Sequence, residues 1–463
     1  MTKIEKSIIR ELNRTRIKPK FLCNAPFTSM NITFPGVVTP CCYNNSWHNS
    51  WQDDYNSHSI NEIWNGNLFN SYREKIKRNE LPESCTHCEN ALRNKEFHSV
   101  KLHQYDGLKV SRIFRNKIRK LDISLSNVCN LECIMCVGSN CNRIRQNREH
   151  LPPIENIYGQ KFRNELKPLL PDIQEIVFLG GEPFLNPLYY DIWEDIIEIN
   201  PKCKLSIVTN GTILNDRIKS LLERGNFFIN LSFDAMTKET YEAIRINAKF
   251  EETMANMKYF GDTLAQHGKC LNIHICPLKL NRFEIPDLIR FCNENKYSIH
   301  ICVVTDAYNI SFDYLSLNEL KEIKDFYLSQ NFIINDVVSK NNIEKFKDLI
   351  RRIDQRIEKK EEIEHFLETI DLGRDKIEDF RNIILKKSIT GLKEMGYDEE
   401  KANALANTVM NRFENALFSM PDYFNSNHLY KNIADISPYS LAYYIKNGST
   451  KYYESIQQLF FNK

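Results

Sequence analysis

From residue 118 to about 305 the apolar positions fall in short β-branched runs: "KLDISLS", "EIVFLG", "KLSIVTNG", "FFINLSFD", "LNIHICPL" and "SIHICVVT". Most are followed by a stretch of helix length. Strands alternating with helices indicate a parallel sheet. Six such units fall short of the eight that close a full barrel, so the pattern predicts an α/β fold built on a partial (β/α)6 TIM-like barrel. Residues 1–110 read differently, rich in turn formers, Trp, Asn and Cys, with one helix-period segment, "SINEIWNGNLFNSYREKIKRN". They predict a small Cys-rich module. After residue 310 the chain turns helical and charged. In "NIEKFKDLIRRIDQRIEKKEEIEHFLETI" apolar residues recur at helical spacing and opposite charges stand three and four apart, as on solvated amphipathic helices. The expected organisation is a module over 1–110, the barrel over 115–310 and a mostly helical region over 311–463.

Composition changes this picture little. The chain has 463 residues, 42% hydrophobic, enough for two or three domains. Lys and Arg number 62 against 60 Asp and Glu, a net charge of +2 that gives no ground for a nucleic-acid or membrane partner. No run approaches the roughly 20 apolar residues of a membrane span, and "MTKIEKSIIRELNRTRIKPKF" carries charges where a signal peptide has its apolar stretch. The expectation is a cytoplasmic protein. Cysteine usage is more telling: nine of fourteen lie between positions 23 and 141. In a reducing compartment clustered thiols point to metal or redox chemistry rather than to disulfides.

The stretch "SNVCNLECIMC" puts Cys129, Cys133 and Cys136 directly after the first barrel strand. Three thiolates hold three corners of a metal site and leave one open, whereas structural zinc takes four closed ligands. This CxxxCxxC loop resembles that of the radical S-adenosylmethionine (radical SAM) superfamily, in which the loop holds a [4Fe–4S] cluster with one iron free for the cofactor. Met135 stands where the family more often has an aromatic. Further segments resemble the family in the same order along the chain. Gly180, Gly181, Glu182 and Pro183 match its GGEP segment, where Glu182 offers an acceptor for the cofactor's ammonium group. Ser232 and Asp234, two apart at a strand end, are similar to residues that bind ribose hydroxyls and the methionine carboxylate. Arg245 resembles the arginine that pairs with that carboxylate. Asn210, in "TNG", is either a further cofactor contact or an ordinary turn residue.

A second constellation lies upstream. Cys23, Gly36 and Cys41 resemble the opening half of the SPASM or twitch auxiliary-cluster domain, the Trp-containing segment resembles its Trp-containing helix, and Cys85-x-x-Cys88 would close the set. The resemblance implies a second [4Fe–4S] cluster on Cys23, Cys41, Cys85 and Cys88; zinc held by the same thiols is the alternative. Cys41 is favoured over its neighbour Cys42 because it keeps the glycine spacing. His87, inside the CxxC, is either a ligand or a loop residue. In the better-known members the module is C-terminal, and here it comes first.

The resemblance implies reductive cleavage of S-adenosylmethionine to a 5′-deoxyadenosyl radical that abstracts a hydrogen atom. A low-potential donor such as flavodoxin or ferredoxin would supply electrons, and the upstream cluster would accept one from the substrate. The expected reaction is oxidative modification of a peptide or protein side chain. Radical oxidation or rearrangement of a small, carbohydrate-like molecule is the alternative, and a non-catalytic zinc-binding module the remote one. Cys276 and Cys302, ending two barrel strands, are either buried apolar cysteines or donors that return a hydrogen atom in an epimerase-like reaction.

Overall fold

In a computed structural model that describes residues 21–44, 53–93, 100–108, 116–302, 304, 310–312, 315–369, 374–394 and 396–418, nine strands form one sheet. They are β1 Ser29–Thr33, β2 Val37–Thr39, β3 Asp53–Asp54, β4 Lys120–Ser124, β5 Glu175–Leu179, β6 Lys204–Thr209, β7 Phe227–Ser232, β8 Asn272–Ile275 and β9 Ser298–Ile301. Their order is β3-β2-β1-β4-β5-β6-β7-β8-β9, and β4 to β9 are the six β-branched runs, all parallel. This is the partial α/β barrel that the alternation predicts, with a longer sheet.

The two faces differ. Phe227, Ile229 and Leu231 of β7 are buried, as are Ile176 and Phe178 of β5 and Ile273 and Ile275 of β8. Helix Pro187–Ile199 covers this face, and its Trp193 packs edge-on to Phe178 and Phe227 at 5.6 and 5.9 Å between ring centres. The alternate residues give the inner face a polar stretch across β6 to β9 beside the apolar Val177, Leu179, Val208 and Phe228, although strands of parallel sheets are commonly apolar on both faces. There, Asn230 Nδ2 donates to Ser206 Oγ (2.9 Å), Asn272 Nδ2 to Asn230 Oδ1 (2.9 Å) and the Ser298 hydroxyl to Asn272 Oδ1 (3.0 Å). These pairings satisfy groups that would be costly to leave bare.

The N-terminal module shares the barrel's sheet. Strand β1 lies parallel to β4 with Ser29 opposite Lys120 and Asn31 opposite Asp122, and β2 returns antiparallel to it. The turn between β1 and β2 needs Gly36: its φ is +140°, and a Cβ there would lie 2.5 Å from Asn56 Nδ2. Sequence pattern missed β1 to β3 because they are two to five residues long and β1 pairs with a strand some 90 positions away. The Trp-containing segment, expected as one helix, is two, Ile60–Asn65 and Asn67–Lys77. They are separated at Gly66, where a Cβ would meet the Glu62 carbonyl at 2.8 Å. Trp64 Nε1 donates to Asn116 O, and Arg73 lies 4.4 Å over the Trp64 ring while donating to Pro26 O.

The chain divides into two compact units, residues 1–356 and 357–463. In the first, buried Asn342 accepts from Ile299 N and donates to Asn293 Oδ1 and Tyr297 O, covering the outer edge of β9 with the start of helix Val337–Thr369. In the second, helices Arg374–Glu394 and Glu399–Phe418 pack about Leu392, Ala402 and Ala406. No helix among the described residues is long and apolar enough to cross a membrane.

Candidate active site

At the carboxyl end of β4 the chain enters the three-cysteine loop, whose backbone is pinned from three sides. Gly181 N donates to Ser126 O and Glu182 N to Val128 O, each at 2.9 Å. A Cβ on Gly180 would lie 2.4 Å from Ser126 O and one on Gly181 2.2 Å from Val128 O, so the two glycines let the loop pass directly over this turn. Glu132 N and Ile134 N donate to Ile246 O and Ile244 O, and Arg148 Nη2 donates to Glu132 O at 2.7 Å. The thiols of Cys129, Cys133 and Cys136 are half-buried. N–H groups point at two of them: Leu131 N (3.5 Å) and Asn210 Nδ2 (3.9 Å) at Cys129, and Arg245 Nη1 (3.8 Å) at Cys133. Burial and the neighbouring Cys133 push Cys136 up to about 11, while Arg245 opposes the upward pull of burial on Cys133. The sulfurs stand as separate corners: among the described residues no three Cys, His, Asp or Glu side chains converge on a single ion position. Donors aimed at thiolate sulfur are what an iron–sulfur cluster uses to set its potential, so the set fits such a group.

Beside this loop Asp234, fully buried, pairs with Arg245 Nη2 at 2.8 Å and accepts from Cys276 N at 2.7 Å. Burial raises the Asp234 pKa and Arg245 opposes the rise. Arg245 Nε is buried without a hydrogen-bond partner, a donor available to a ligand carboxylate. Asn210 Nδ2 also reaches Asn130 Oδ1 (2.9 Å), so this side chain ties the end of β6 to the cysteine loop. Ser232 is half-buried on the inner face, opposite His274. Pro183 opens a short 3-10 turn.

Glu182 differs from a free acceptor. It is 2% exposed, and its two oxygens already take Phe184 N (3.1 Å), the Thr209 hydroxyl (2.8 Å) and Asn210 N (2.8 Å). It brackets the GGEP turn to β6. Burial pushes its pKa up to about 7, against these hydrogen bonds. Between pH 8 and 5 the folded protein therefore takes up a proton that the unfolded chain, with its carboxyl near 4.5, does not. Wild type should gain stability relative to Glu182→Gln as pH falls over that range, by up to about 3 kcal/mol. Urea midpoints of the apo proteins at the two pH values test this, and a difference that stays constant contradicts it.

At the opposite, amino-terminal edge of the sheet the other four cysteines meet. Cys23, Cys41 and Cys88 share one apolar cluster with Leu22, Phe27, Leu92 and Tyr105, and Cys85 lies one residue before helix Thr86–Arg93. Burial first, then Cys23 and Cys88, push Cys41 up to about 12, and burial with Cys41, Cys23 and Cys88 raises Cys85. Three of these sulfurs share an apolar shell and Cys85 lies near enough to feel their charge, a spacing that suits the separate corners of a fully ligated cluster better than a single ion. Cys42 turns away and meets Asp122 of β4. His87 lies against the Tyr43 ring at 5.4 Å. The two thiol sets flank the five-residue strand β4, about 16 Å at about 3.3 Å per residue.

Several residues escaped sequence reasoning. Cys141 stands thiol to thiol with Cys129 and donates to Leu131 O at 3.3 Å. Arg148 and the Asn130–Thr212 hydrogen bond (2.8 Å) brace the loop without any sequence signal. One signal was available: "IHIC" occurs twice, at 273–276 and 299–302.

The fold and site thus define a partial α/β barrel with a three-thiol loop at its carboxyl rim and a four-thiol shell at its base. Residues 123–292 match the family model of the radical SAM superfamily, and residues 23–89 match that of the SPASM iron–sulfur cluster-binding domain. Residues 123–292 thus carry a radical SAM domain, the domain of a superfamily of iron–sulfur enzymes, and a SPASM domain precedes it at the N-terminus. The first domain implies a [4Fe–4S] cluster and S-adenosylmethionine, the second additional iron–sulfur. Among curated relatives, a probable GTP 3′,8-cyclase of Methanocaldococcus jannaschii is 27% identical over 239 residues, covering 48% of this chain and 72% of the relative. Its counterpart in Methanothermobacter marburgensis is 31% identical over 182 residues, 39% of this chain and 55% of the relative. Among solved structures, Streptococcus suis SuiB bound to the precursor peptide SuiA is similar at 16% identity and a TM-score of 0.36, over 60% of this chain and 64% of that one.

Proposed function

We propose that this chain binds S-adenosylmethionine at the barrel rim beside a [4Fe–4S] cluster held by Cys129, Cys133 and Cys136, and oxidises a peptide or protein side chain seated against the polar inner face. When bound, cluster and cofactor supply a 5′-deoxyadenosyl radical able to take a hydrogen atom from carbon. The chain's own residues do the rest. Arg245 and Asn210 orient donors toward the cluster sulfurs and the cofactor, Gly180 and Gly181 allow the close approach of the loop, and Asp234 holds Arg245 in place. Glu182 fixes the turn to β6, Pro183 starts its 3-10 turn, and Ser232 offers a hydroxyl toward the ligand. Cys23, Cys41, Cys85 and Cys88 would hold a second cluster able to accept an electron from the substrate, and a flavodoxin- or ferredoxin-like protein would supply the first one.

The observation that carries the reading is the pair of thiol sets at opposite edges of one sheet, with a polar inner face between them. The names of the curated cyclases favour a second reading, a nucleotide-like small molecule, and the Asn, Ser and His side chains of the inner face suit its polar groups. Anaerobic protein given dithionite and S-adenosylmethionine should be brown and release 5′-deoxyadenosine. A colourless, iron-free protein that releases none overturns the enzyme in favour of a zinc module. A mass change in a co-expressed candidate peptide supports the first reading, and turnover of GTP or a related nucleotide with no peptide change supports the second.

A further inference from the structure

The two "IHIC" segments end the adjacent parallel strands β8 and β9, and they are in register: Ile273 faces Ile299, His274 faces His300 and Ile275 faces Ile301. The ladder continues one step beyond the strands, where Cys302 N donates to Ile275 O at 2.8 Å, so Cys276 and Cys302 stand side by side. Ile273, Ile275 and Ile299 are fully buried, whereas His274, Cys276 and Cys302 are half-buried and His300 is exposed. Alternation therefore presents two imidazoles and two thiols together on the inner face. The imidazole rings are 5.0 Å apart. The thiols share a hydrogen bond, and Cys302 also meets both imidazoles. Neighbouring strands about 4.8 Å apart fall within the roughly 4.4–6.8 Å Cα separation that a disulfide accepts.

The quartet adjoins the cofactor region through short contacts. Cys276 N donates to Asp234, Asp234 pairs with Arg245, and Arg245 reaches Cys133. None of the roles assigned above uses these thiols.

We propose that Cys276 and Cys302 form a dithiol that donates a hydrogen atom to a carbon radical on the inner face and is itself oxidised to a disulfide. Hydrogen bonding from Cys276 and the two imidazoles favours the thiolate at Cys302 and leaves Cys276 as the protonated partner. The Cys276 S–H bond breaks homolytically and its hydrogen atom forms a C–H bond. The resulting sulfur radical joins the Cys302 thiolate in a three-electron S–S bond. That radical anion passes one electron to an oxidised iron–sulfur cluster and becomes the disulfide, while the proton that left Cys302 rests on an imidazole. A dithiol reductant resets the pair. The inference rests on the proposed function in one respect, that a carbon radical forms in this barrel. It adds an outlet in which the substrate keeps its oxidation level and leaves with a solvent-derived hydrogen, the cysteine pair being oxidised instead.

The test needs no substrate. Holoenzyme in thiol-free D2O with dithionite and S-adenosylmethionine should release 5′-deoxyadenosine of which most carries one solvent deuterium, because the exchanged thiol quenches the radical. Peptide mapping after alkylation should find a Cys276–Cys302 disulfide. In Cys276→Ser the labelled fraction per deoxyadenosine formed should fall at least tenfold, with the iron content and circular dichroism of wild type reporting that the variant folds. Separately, folded protein without S-adenosylmethionine should form the same cross-link, as its main product, in oxidised dithiothreitol. Deoxyadenosine without deuterium, or a labelled fraction unchanged in Cys276→Ser, overturns this inference alone, as does absence of the cross-link. Failure of wild type to release any deoxyadenosine overturns the proposed function and this inference with it.

Discussion

Anaerobic protein with Cys129, Cys133 and Cys136 all changed to alanine should keep about four of about eight irons and lose all cleavage of S-adenosylmethionine. The three thiols belong to a rim loop pinned by backbone hydrogen bonds to Gly181, Glu182, Ile244 and Ile246, none of which involves a sulfur, so the loop's path survives the substitutions. At the base of the sheet Cys23, Cys41 and Cys88 sit in an apolar cluster with Leu22, Phe27 and Leu92 that includes none of the rim thiols, and Cys85 lies beside them. Iron and sulfide counting with ultraviolet–visible spectra checks the result. A fall from about four irons to none leaves the N-terminal thiols to zinc, and an unchanged count removes the rim thiols from the ligand set.

Arg245→Leu should cost about 3–5 kcal/mol of stability and abolish cofactor binding. Arg245 and Asp234 are 8% and 0% exposed at their side chains and 2.8 Å apart. Removing one member of so buried a pair strands the other charge in a medium that solvates it poorly. The double variant Arg245→Leu with Asp234→Asn distinguishes structure from function. It removes the stranded charge yet keeps an oxygen able to accept from Cys276 N, so most of the lost stability should return. Cofactor binding should not return, because the guanidinium that reaches Cys133 Sγ and keeps a buried, unpaired Nε for a carboxylate is gone. Urea midpoints and calorimetric titration of S-adenosylmethionine measure the two effects separately. A double variant that binds the cofactor like wild type removes Arg245 from the site.

Much of this protein was legible in the residue order. The β-branched runs recur at parallel-sheet spacing, and all six became strands, because such side chains suit a pleated sheet whose outer face helices cover. The cysteine loop and GGEP turn were legible for a different reason: both depend on side chains or glycines within a few residues of each other, so their chemistry is written locally. The Trp-containing segment was read as helical, but its break at Gly66 depends on how closely the Glu62 carbonyl approaches.

Long-range pairing decided the rest. That β1 joins β4, carrying the N-terminal cysteines to the base of the barrel sheet, depends on hydrogen bonds between residues about 90 positions apart, which no local period encodes. Glu182 shows the same division: the sequence marks it as an acceptor, whereas the fold commits its oxygens to Thr209, Asn210 and Phe184. Cys141 comes to rest against Cys129 only because the loop doubles back. The two "IHIC" segments are visible in the sequence as a repeat, but only the β8–β9 register makes them one group of four side chains. The residue order alone marked the candidate residues and the six β-branched runs that became β4 to β9. Tertiary structure decided which of them meet, because strand register and burial are set by contacts between distant parts of the chain.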